Sequence, residues 1–565
     1  MWTTDRRVRE YLNNGYTYLL SRYNVDNGGA LLASGSDEAV NSNLNSNVNY
    51  FNNGTWSSLK TFDEQYTNLY TGLWVVNTFL QKSPTAVVYP ASDLAGLRGE
   101  AFFMRAMMHF ELFKRYGGIV LATKPFTAGD DLNLPRNSVD EVVKHIVTDC
   151  DSAIAQIGPA WTRDWDAANW GRATKAAGMA LKAKVLLYYA SPLYNTANDL
   201  VRWQDAADAA KALIDLNKHG LLSKADFPSL WDYTATATTY NKEVIFATSA
   251  SNINTIESNN APIGFTGGLG RTNPTQELVD AFEMANGLPI TDPASGYNAQ
   301  NPYAGRDPRL NQFVIYNGAT FKTGSLTRAV ETFDGGLDNV LTNVNSTKSG
   351  YYLRKFLSSN ATYNVTSITN VRRPWVLFRY ADILLVRAEA LNEAVGPDAE
   401  VYDAVNAVRN RSGMPSLPAG LSKDEMRARI KNERRVELCF EEQRFFDVRR
   451  WKEGETYFNR AVHGMKITKS GTTLTYTPFV IETRLFAAKN YFYPFQQSEI
   501  NKAKNCPRTL GMNSIILSPG GSDAAGFQKS NMSVHFRSAV AGLLLLVSIH
   551  VTAQKRISSW GDREL

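Results

Sequence analysis

The chain has 565 residues, 44% of them hydrophobic and 20% charged, which is the composition of a globular protein with a large core and excludes disordered, collagen-like and disulfide-scaffold classes. A total of 60 basic against 54 acidic groups leaves a net +6 spread over the whole chain, too dilute a field to hold a polyanion, so nucleic acid is not an expected partner. Cys150, Cys439 and Cys506 lie far apart, and the six histidines show no HExxH or HxxxH spacing, so neither a zinc site, a metalloprotease nor any cofactor or metal is expected.

The N-terminus runs from Trp2 through Asp5, Arg6 and Arg7 into an amphipathic stretch, without the charged and apolar regions of a signal peptide. From Phe62 to Leu80 the apolar residues Tyr66, Leu69, Tyr70, Leu73, Val76 and Leu80 recur at helical spacing. A longer helix is predicted from Ser92 to Arg115, capped by Ser92 or Asp93 and closed at Gly117–Gly118. It is apolar on two sides and is expected to be buried between neighbours. Ser138–Ile157, Arg172–Ala190 and Asp205–Leu216 repeat the helical pattern, the last two rich in alanine, as in stacked helix hairpins of the tetratricopeptide type. From about residue 218 to 370, Gly, Asn, Pro, Thr and aromatics dominate, with short helical pieces such as Thr275–Met284. Helices return at Val376–Glu393, Val401–Ser412 and Ser422–Phe440.

The expected fold is mainly α: a single unit over residues 1–505, with a tetratricopeptide-like helix-hairpin scaffold at about 60–217 and 376–452 and a long, irregular, loop-rich insert at about 218–370. Residues 506–565 read differently. Met532-Ser-Val-His-Phe-Arg537, the apolar run Ala539–Ile549 and Val551-Thr-Ala-Gln554 have the form of a signal peptide, and the run falls short of the about 20 residues a membrane span needs. The preferred reading is an aberrant tail, a reading frame that continues through Ser518–Ser530 into the start of a neighbouring exported protein; the alternative is a short C-terminal hydrophobic helix.

Several strings, in order, resemble the SusD/RagB family of outer-membrane nutrient-binding lipoproteins. The most specific is Ile430-Lys-Asn-Glu-Arg-Arg-Val-Glu-Leu-Cys-Phe-Glu-Glu-Gln-Arg-Phe-Phe-Asp-Val-Arg-Arg-Trp451, preceded by Phe378-Arg-Tyr-Ala-Asp-Ile-Leu-Leu-Val-Arg-Ala-Glu-Ala-Leu-Asn-Glu393 and Ala404-Val-Asn-Ala-Val-Arg-Asn-Arg-Ser-Gly-Met414 and followed by Tyr493-Pro-Phe-Gln-Gln-Ser-Glu-Ile500. Upstream, the segment from Leu97 to Gly117, Gly171-Arg-Ala-Thr-Lys175, Pro274-Thr-Gln-Glu-Leu278 and Arg306-Asp-Pro-Arg309 are similar to family signatures. The resemblance implies glycan binding without catalysis, a lipid anchor on an N-terminal cysteine at the outward face of the cell outer membrane, and a SusC-like TonB-dependent transporter as partner. The lipidation cysteine does not occur in this sequence.

In the block from Ile430 to Trp451, acidic and basic residues alternate at three and four positions, a spacing that places ion pairs on shared helix faces. Arg105, Arg387, Glu389, Glu433, Arg434, Glu437, Glu441 and Arg444 are therefore read as architectural. The competing reading, Glu437 and Glu441 as the acid and nucleophile of a glycoside hydrolase, meets the objection that flanking arginines hold both ionised. For ligand binding, the loop Ser34–Trp56 offers Asp37, Glu38, five alternate asparagines, Asn52 and Trp56, and a second cluster offers Trp161 and Trp165 beside Asp164 and Asp166. Trp231, Tyr297 and Tyr303 in the insert complete the candidates. Flat rings stack on sugars while amides and carboxylates bond hydroxyls. The alternative function is a helical-repeat scaffold binding a peptide or protein partner.

Overall fold

The computed structural model describes residues 1–23, 28–127, 129–132, 134–158, 171–233, 241–364 and 366–502. The chain from 506 on, with its signal-peptide-like run, and Trp161 and Trp165 lie outside the described residues. The chain divides into two compact units, one of Met1–Leu19, Ser57–Ile157 and the described residues from Phe492 on, the other of Leu20–Trp56 and Gly158–Tyr491.

The first unit is built on four helices: α1 (Asp5–Tyr16), α2 (Tyr66–Lys82), α3 (Asp93–Tyr116) and α4 (Val139–Ile157). α3 is apolar on more than one side and packs against both α2 and α4, burying Leu97, Phe103, Met104, Met108, Phe110 and Leu112. Two glycines set how closely these helices approach. A Cβ on Gly72 would stand 2.7 Å from Tyr18 Cβ and one on Gly99 would stand 2.7 Å from Ile157 Cγ1, so neither position has room for a larger residue. α3 ends at Gly117 with φ +68°. Beneath that end, Arg115 and Asp63 form an ion pair of 2.9 Å with no exposed side-chain surface, and the Tyr493 hydroxyl donates to the same carboxylate at 2.8 Å.

The second unit stacks helix hairpins of the tetratricopeptide kind: α5 (Lys175–Ala190) on α6 (Leu200–Asp215), α6 on α7 (Tyr380–Val395), and α7 on α8 (Ala399–Ser412) and α9 (Lys423–Glu437). Alanines at 176, 177, 180 and 183 of α5 and 206, 207 and 210 of α6 are fully buried, and small side chains let the axes come close. The starts are fixed chemically. Thr174, Asp199 and Asp398 accept from backbone amides of the first turn, and Ser422 with Glu425 forms a reciprocal capping box. Because Asp199 caps it, α6 begins a turn and a half before the expected Asp205.

Two features depart from the sequence reading. The block from Ile430 to Trp451 is two helices, α9 and α10 (Gln443–Arg450), broken where Phe440 and Glu442 take positive φ. The insert is threaded by β-ribbons: among the described residues there are seven two-stranded antiparallel sheets. Val244–Ala247 pairs with Val376–Arg379 and Ser251–Ile253 with Val371–Arg373, which ties the two ends of the insert together. The longest ribbon, Ala461–Ser470 with Thr473–Thr483, falls beyond the helical scaffold.

Buried charge ties α9 to its surroundings. Glu437 meets Arg309 (3.0 Å), Arg379 (2.7 Å) and Arg411; Glu441 meets Arg379 (2.7 Å) and Lys355 (2.6 Å); Glu433 meets Arg309 (2.5 Å) and Arg409 (3.2 Å). A second network runs from Lys184 through Asp382, Arg434, Asp447 and Arg450 to Glu389. Burial would raise Glu437, but the three arginines hold it well below the usual carboxylate range, the opposite of what a general acid needs.

Candidate functional site

The segment Ser34–Trp56, expected to be a binding loop, turns its candidate side chains into the second unit, while Leu44, Asn45, Asn53 and Thr55 stay exposed. Asp37 has no exposed surface and is paired with Arg435, Arg444 and Arg460. Glu38 is buried beside it and accepts the Phe440 amide at 3.2 Å. Asn52 donates to the Ser34 carbonyl at 3.0 Å. Trp56 is 2% exposed and sits edge-on to Phe51, ring centroids 5.2 Å apart. Trp231, 6% exposed, lies under Lys355 and edge-on to Phe356. These five groups are committed to the core, where a ring has no face free for a sugar; the buried carboxylates drew the loop inward because only guanidiniums there could balance them.

The two remaining candidates come together. Tyr297 follows the turn Pro293–Ser295, and Tyr303 lies six residues on. Tyr303 stacks on Tyr316, centroids 4.2 Å apart and planes 24° apart, and meets Tyr476 and Tyr351 edge-on at 5.8 and 6.1 Å. Tyr297, Tyr303, Tyr316 and Tyr476 are all half-buried, so the cluster shows ring surface to solvent. Tyr316 closes the strand Val314–Ile315, Tyr351 opens the strand Tyr352–Leu353, and Tyr476 comes from the hairpin strand Thr473–Thr483.

A polar chain runs along one side of these rings. The Tyr303 and Tyr351 hydroxyls are 3.4 Å apart, Tyr351 donates to Gln276 Oε1 at 2.7 Å, and Gln276 Nε2 donates to Asp280 Oδ1 at 2.6 Å. Burial raises Asp280 above its ordinary value against the opposing Gln276 bond and Arg306 charge. Gln300 bonds both ways to the backbone of Tyr476, at 3.1 and 3.2 Å. Arg306 holds the intervening loop by donating to the carbonyls of Pro302, Val279 and Phe282 while its guanidinium lies 5.4 Å from the Tyr297 ring centre. Burial pushes the Tyr303 and Tyr316 hydroxyls up, so at neutral pH they are donors as well as acceptors. The arrangement presents ring faces beside amide, hydroxyl and carboxyl groups. Tyr316, Tyr351, Tyr476, Asp280 and Gln300 were not among the sequence candidates; Tyr303 and Tyr476 on the hairpin stand 173 positions apart in the sequence, and only the fold joins them.

One histidine and aspartate group in the first unit, His109, His145 and Asp149, has donor atoms within 4.8 Å of one another. Both Asp149 oxygens already accept from Arg105, at 2.8 and 2.6 Å, and His109 Nε2 accepts the Ala122 amide at 3.3 Å. The guanidinium charge opposes a cation there.

Residues 242–511 match the SusD family, and residues 4–187 match a family described as starch-binding and associating with the outer membrane. The SusD-like proteins P2 and P38 of Formosa agariphila are similar at 26% identity over 374 residues and 24% over 407 residues. These matches take in 64% and 68% of this chain and 66% and 71% of the relatives, so the chain spans about two thirds of their length. A solved SusD-like protein from Bacteroides fragilis is 28% identical and superposes with a TM-score of 0.75, covering 89% of this chain and 96% of that one. A SusD-like carbohydrate binding protein from the same species (22% identity, TM-score 0.72, 88% and 98% covered) and the surface glycan-binding protein A of Bacteroides fluxus (20%, 0.63, 90% and 99%) share the fold.

Proposed function

The chain belongs to the SusD/RagB family, and from that premise we propose that it binds oligo- or polysaccharide at the outward face of the outer membrane and delivers it to a SusC-like TonB-dependent transporter without cleaving it. The observation that carries the reading is the half-buried tyrosine cluster, where Tyr303 and Tyr316 stack within reach of Asp280, Gln276 and Gln300. Sugar recognition needs both parts, an apolar ring face for the C–H side of the pyranose and directional partners for its hydroxyls. The matched family's starch-binding description and the names of the neighbours are consistent with it. Binding without cleavage accords with Glu437, which its arginine partners hold well below the usual carboxylate range and so unsuited to act as a general acid.

Affinity electrophoresis of the full chain against a panel of neutral and acidic polysaccharides tests the reading. Retardation by at least one member, without release of reducing ends, is the expected result. A chain that migrates freely through every member and instead captures a peptide on its helical face would replace glycan binding with the scaffold function.

A further inference from the structure

Behind a cleft in the second unit three guanidiniums, Arg435, Arg444 and Arg460, surround one buried carboxylate, Asp37, and the first two of them line the cleft. The cleft has a volume of about 340 Å³ and is lined in part by Arg427, Lys431, Arg435, Arg444, Glu453 and Tyr457. α9 supplies the first three, α10 supplies Arg444, and the short helix Gly454–Tyr457 with the residue before it supplies Tyr457 and Glu453. The two cations nearer solvent are balanced: Lys431 pairs with Glu453 at 2.6 Å, and Arg427 pairs with Glu393 at 2.5 Å and with Asp424.

The cations around Asp37 are not balanced in this way. Asp37 accepts from Arg444 Nε and Nη2 at 2.8 and 2.9 Å and lies 3.0 Å from Arg435 Nη2 and 3.4 Å from Arg460 Nη2. The Nε–H groups of both Arg435 and Arg460 are buried and have no acceptor. Tyr457 lies between two of the cations, with the guanidinium carbons of Arg444 and Arg460 at 4.4 and 5.5 Å from its ring centre. Glu38, next in sequence to Asp37, does not answer the surplus, because burial and then Asp37 push its carboxyl up to about 8. Burial, with Arg444 and Arg460 nearby, holds Arg435 below its ordinary value even though Asp37 favours its charge.

Buried guanidinium donors without acceptors are costly to leave unmade, and a planar fork on a rigid wall matches the spacing of two oxyanion oxygens. We propose that this cleft is an anion-binding site that takes a carboxylate, sulfate or phosphate group, as the free ion or as a substituent of an acidic saccharide. Arg435, on the cleft wall, supplies the unpaired Nε–H, Arg460 adds its charge from beside the Tyr457 ring, Arg444 stays on Asp37, and Lys431 turns from Glu453 towards the incoming charge. The site uses none of the tyrosine cluster and stands whether or not that cluster binds glycan.

Isothermal titration of the full chain with glucuronate, inorganic sulfate and inorganic phosphate tests it, at one ionic strength maintained with chloride and with glucose as the uncharged control. At least one anion is expected to bind saturably and glucose to show no Arg460-dependent binding. Arg460→Gln is expected to weaken the anion about tenfold, and Tyr316→Ala to leave it unchanged. Arg460 is the suitable variant because its side chain is 37% exposed and makes the longest of the contacts to Asp37, so the fold survives; a thermal melt verifies this. Lys431→Gln is the second, rim variant. An acidic oligosaccharide that binds more tightly than the free ion, with the same dependence on Arg460, identifies a saccharide as the source, and equal affinity identifies the free ion; both uphold the site. Absence of saturable binding by all three anions, or binding indifferent to both variants, overturns it.

Discussion

Two aromatic residues separate what a ring does in a core from what it does at a surface. Trp56 is enclosed by Phe51 and its neighbours, so Trp56→Ala removes a large buried ring and is expected to lower stability by about 3–5 kcal/mol. Tyr316 is half-buried and stacked on Tyr303, so Tyr316→Ala is expected to cost ~1 kcal/mol of stability while weakening glycan affinity about tenfold. Urea denaturation beside affinity electrophoresis checks both; a Trp56→Ala protein as stable as the parent, or a Tyr316→Ala protein with undiminished affinity, contradicts the assignment. The surplus of rings and amides was visible in the sequence, but its division was not. Asp37 and Trp56 looked like a binding loop because polar and aromatic residues alternate there, and nothing local shows that Arg435, Arg444 and Arg460, some 400 residues later, draw that loop inside.

Glu38 gives a pH dependence of its own. Its carboxyl is raised to about 8, by burial first and Asp37 second, whereas an unfolded glutamate titrates near about 4.3. A group with a raised folded pKa contributes stability that is fully present below the unfolded value and is lost as pH rises through the folded one. Glu38→Gln, which keeps an acceptor for the Phe440 amide but cannot ionise, is therefore expected to gain stability relative to the parent between pH 5 and 8 and to hold that gain at pH 9. Denaturation midpoints at these three values measure it; a difference that does not change with pH removes Glu38 from the account.

At the scale of elements, α9 is held by charge as much as by apolar contact. Glu437 is shared by Arg309, Arg379 and Arg411, so Glu437→Gln leaves cations buried without their counter-charge. Breaking such a group is expected to cost about 3–5 kcal/mol, seen as a lowered denaturation midpoint with unchanged glycan binding in the surviving folded fraction. Helical spacing in the block from Ile430 to Trp451 pointed to an architectural role for these residues but not to their partners: Glu437 pairs with Arg309, Arg379 and Arg411, and Arg434 with Asp382 and Asp447, none of them the neighbours three or four places along that the spacing suggested. α9 ends at Glu437, three residues before the expected Phe440, but α10 was not legible as a separate helix, because Phe440 and Glu442 adopt positive φ without a glycine to announce the new start. The ribbons of the insert escaped for a different reason. Most are two to four residues long, too short for a period of two to emerge, and their partners lie up to 235 positions away, as with Ala39 and Pro274.

For the whole molecule, the helical scaffold was legible because helices carry their signal locally, in periodicity, caps and alanine faces, whereas the tyrosine cluster depends on the insert and the 461–483 hairpin meeting in space. The same long-range closure sets how the chain responds to acid. Asp37, Glu437, Asp447, Glu389 and Asp382 are buried carboxylates; burial alone would raise each, but the adjoining arginines and lysines hold all five below their ordinary values. A depressed folded pKa contributes stability that is present above the unfolded value and lost as pH falls through the folded one. Because the unfolded values cluster near about 4, all five contributions begin to disappear over the same narrow range, while every buried arginine keeps its charge and loses its partner. The second unit is therefore expected to lose stability steeply below pH 4, and salt should protect it little because the pairs are shielded from solvent ions. Far-UV circular dichroism and urea midpoints recorded from pH 6 to pH 2, at low and at high salt, follow the transition; midpoints that stay level across that range would show that the buried networks are not what holds the unit together.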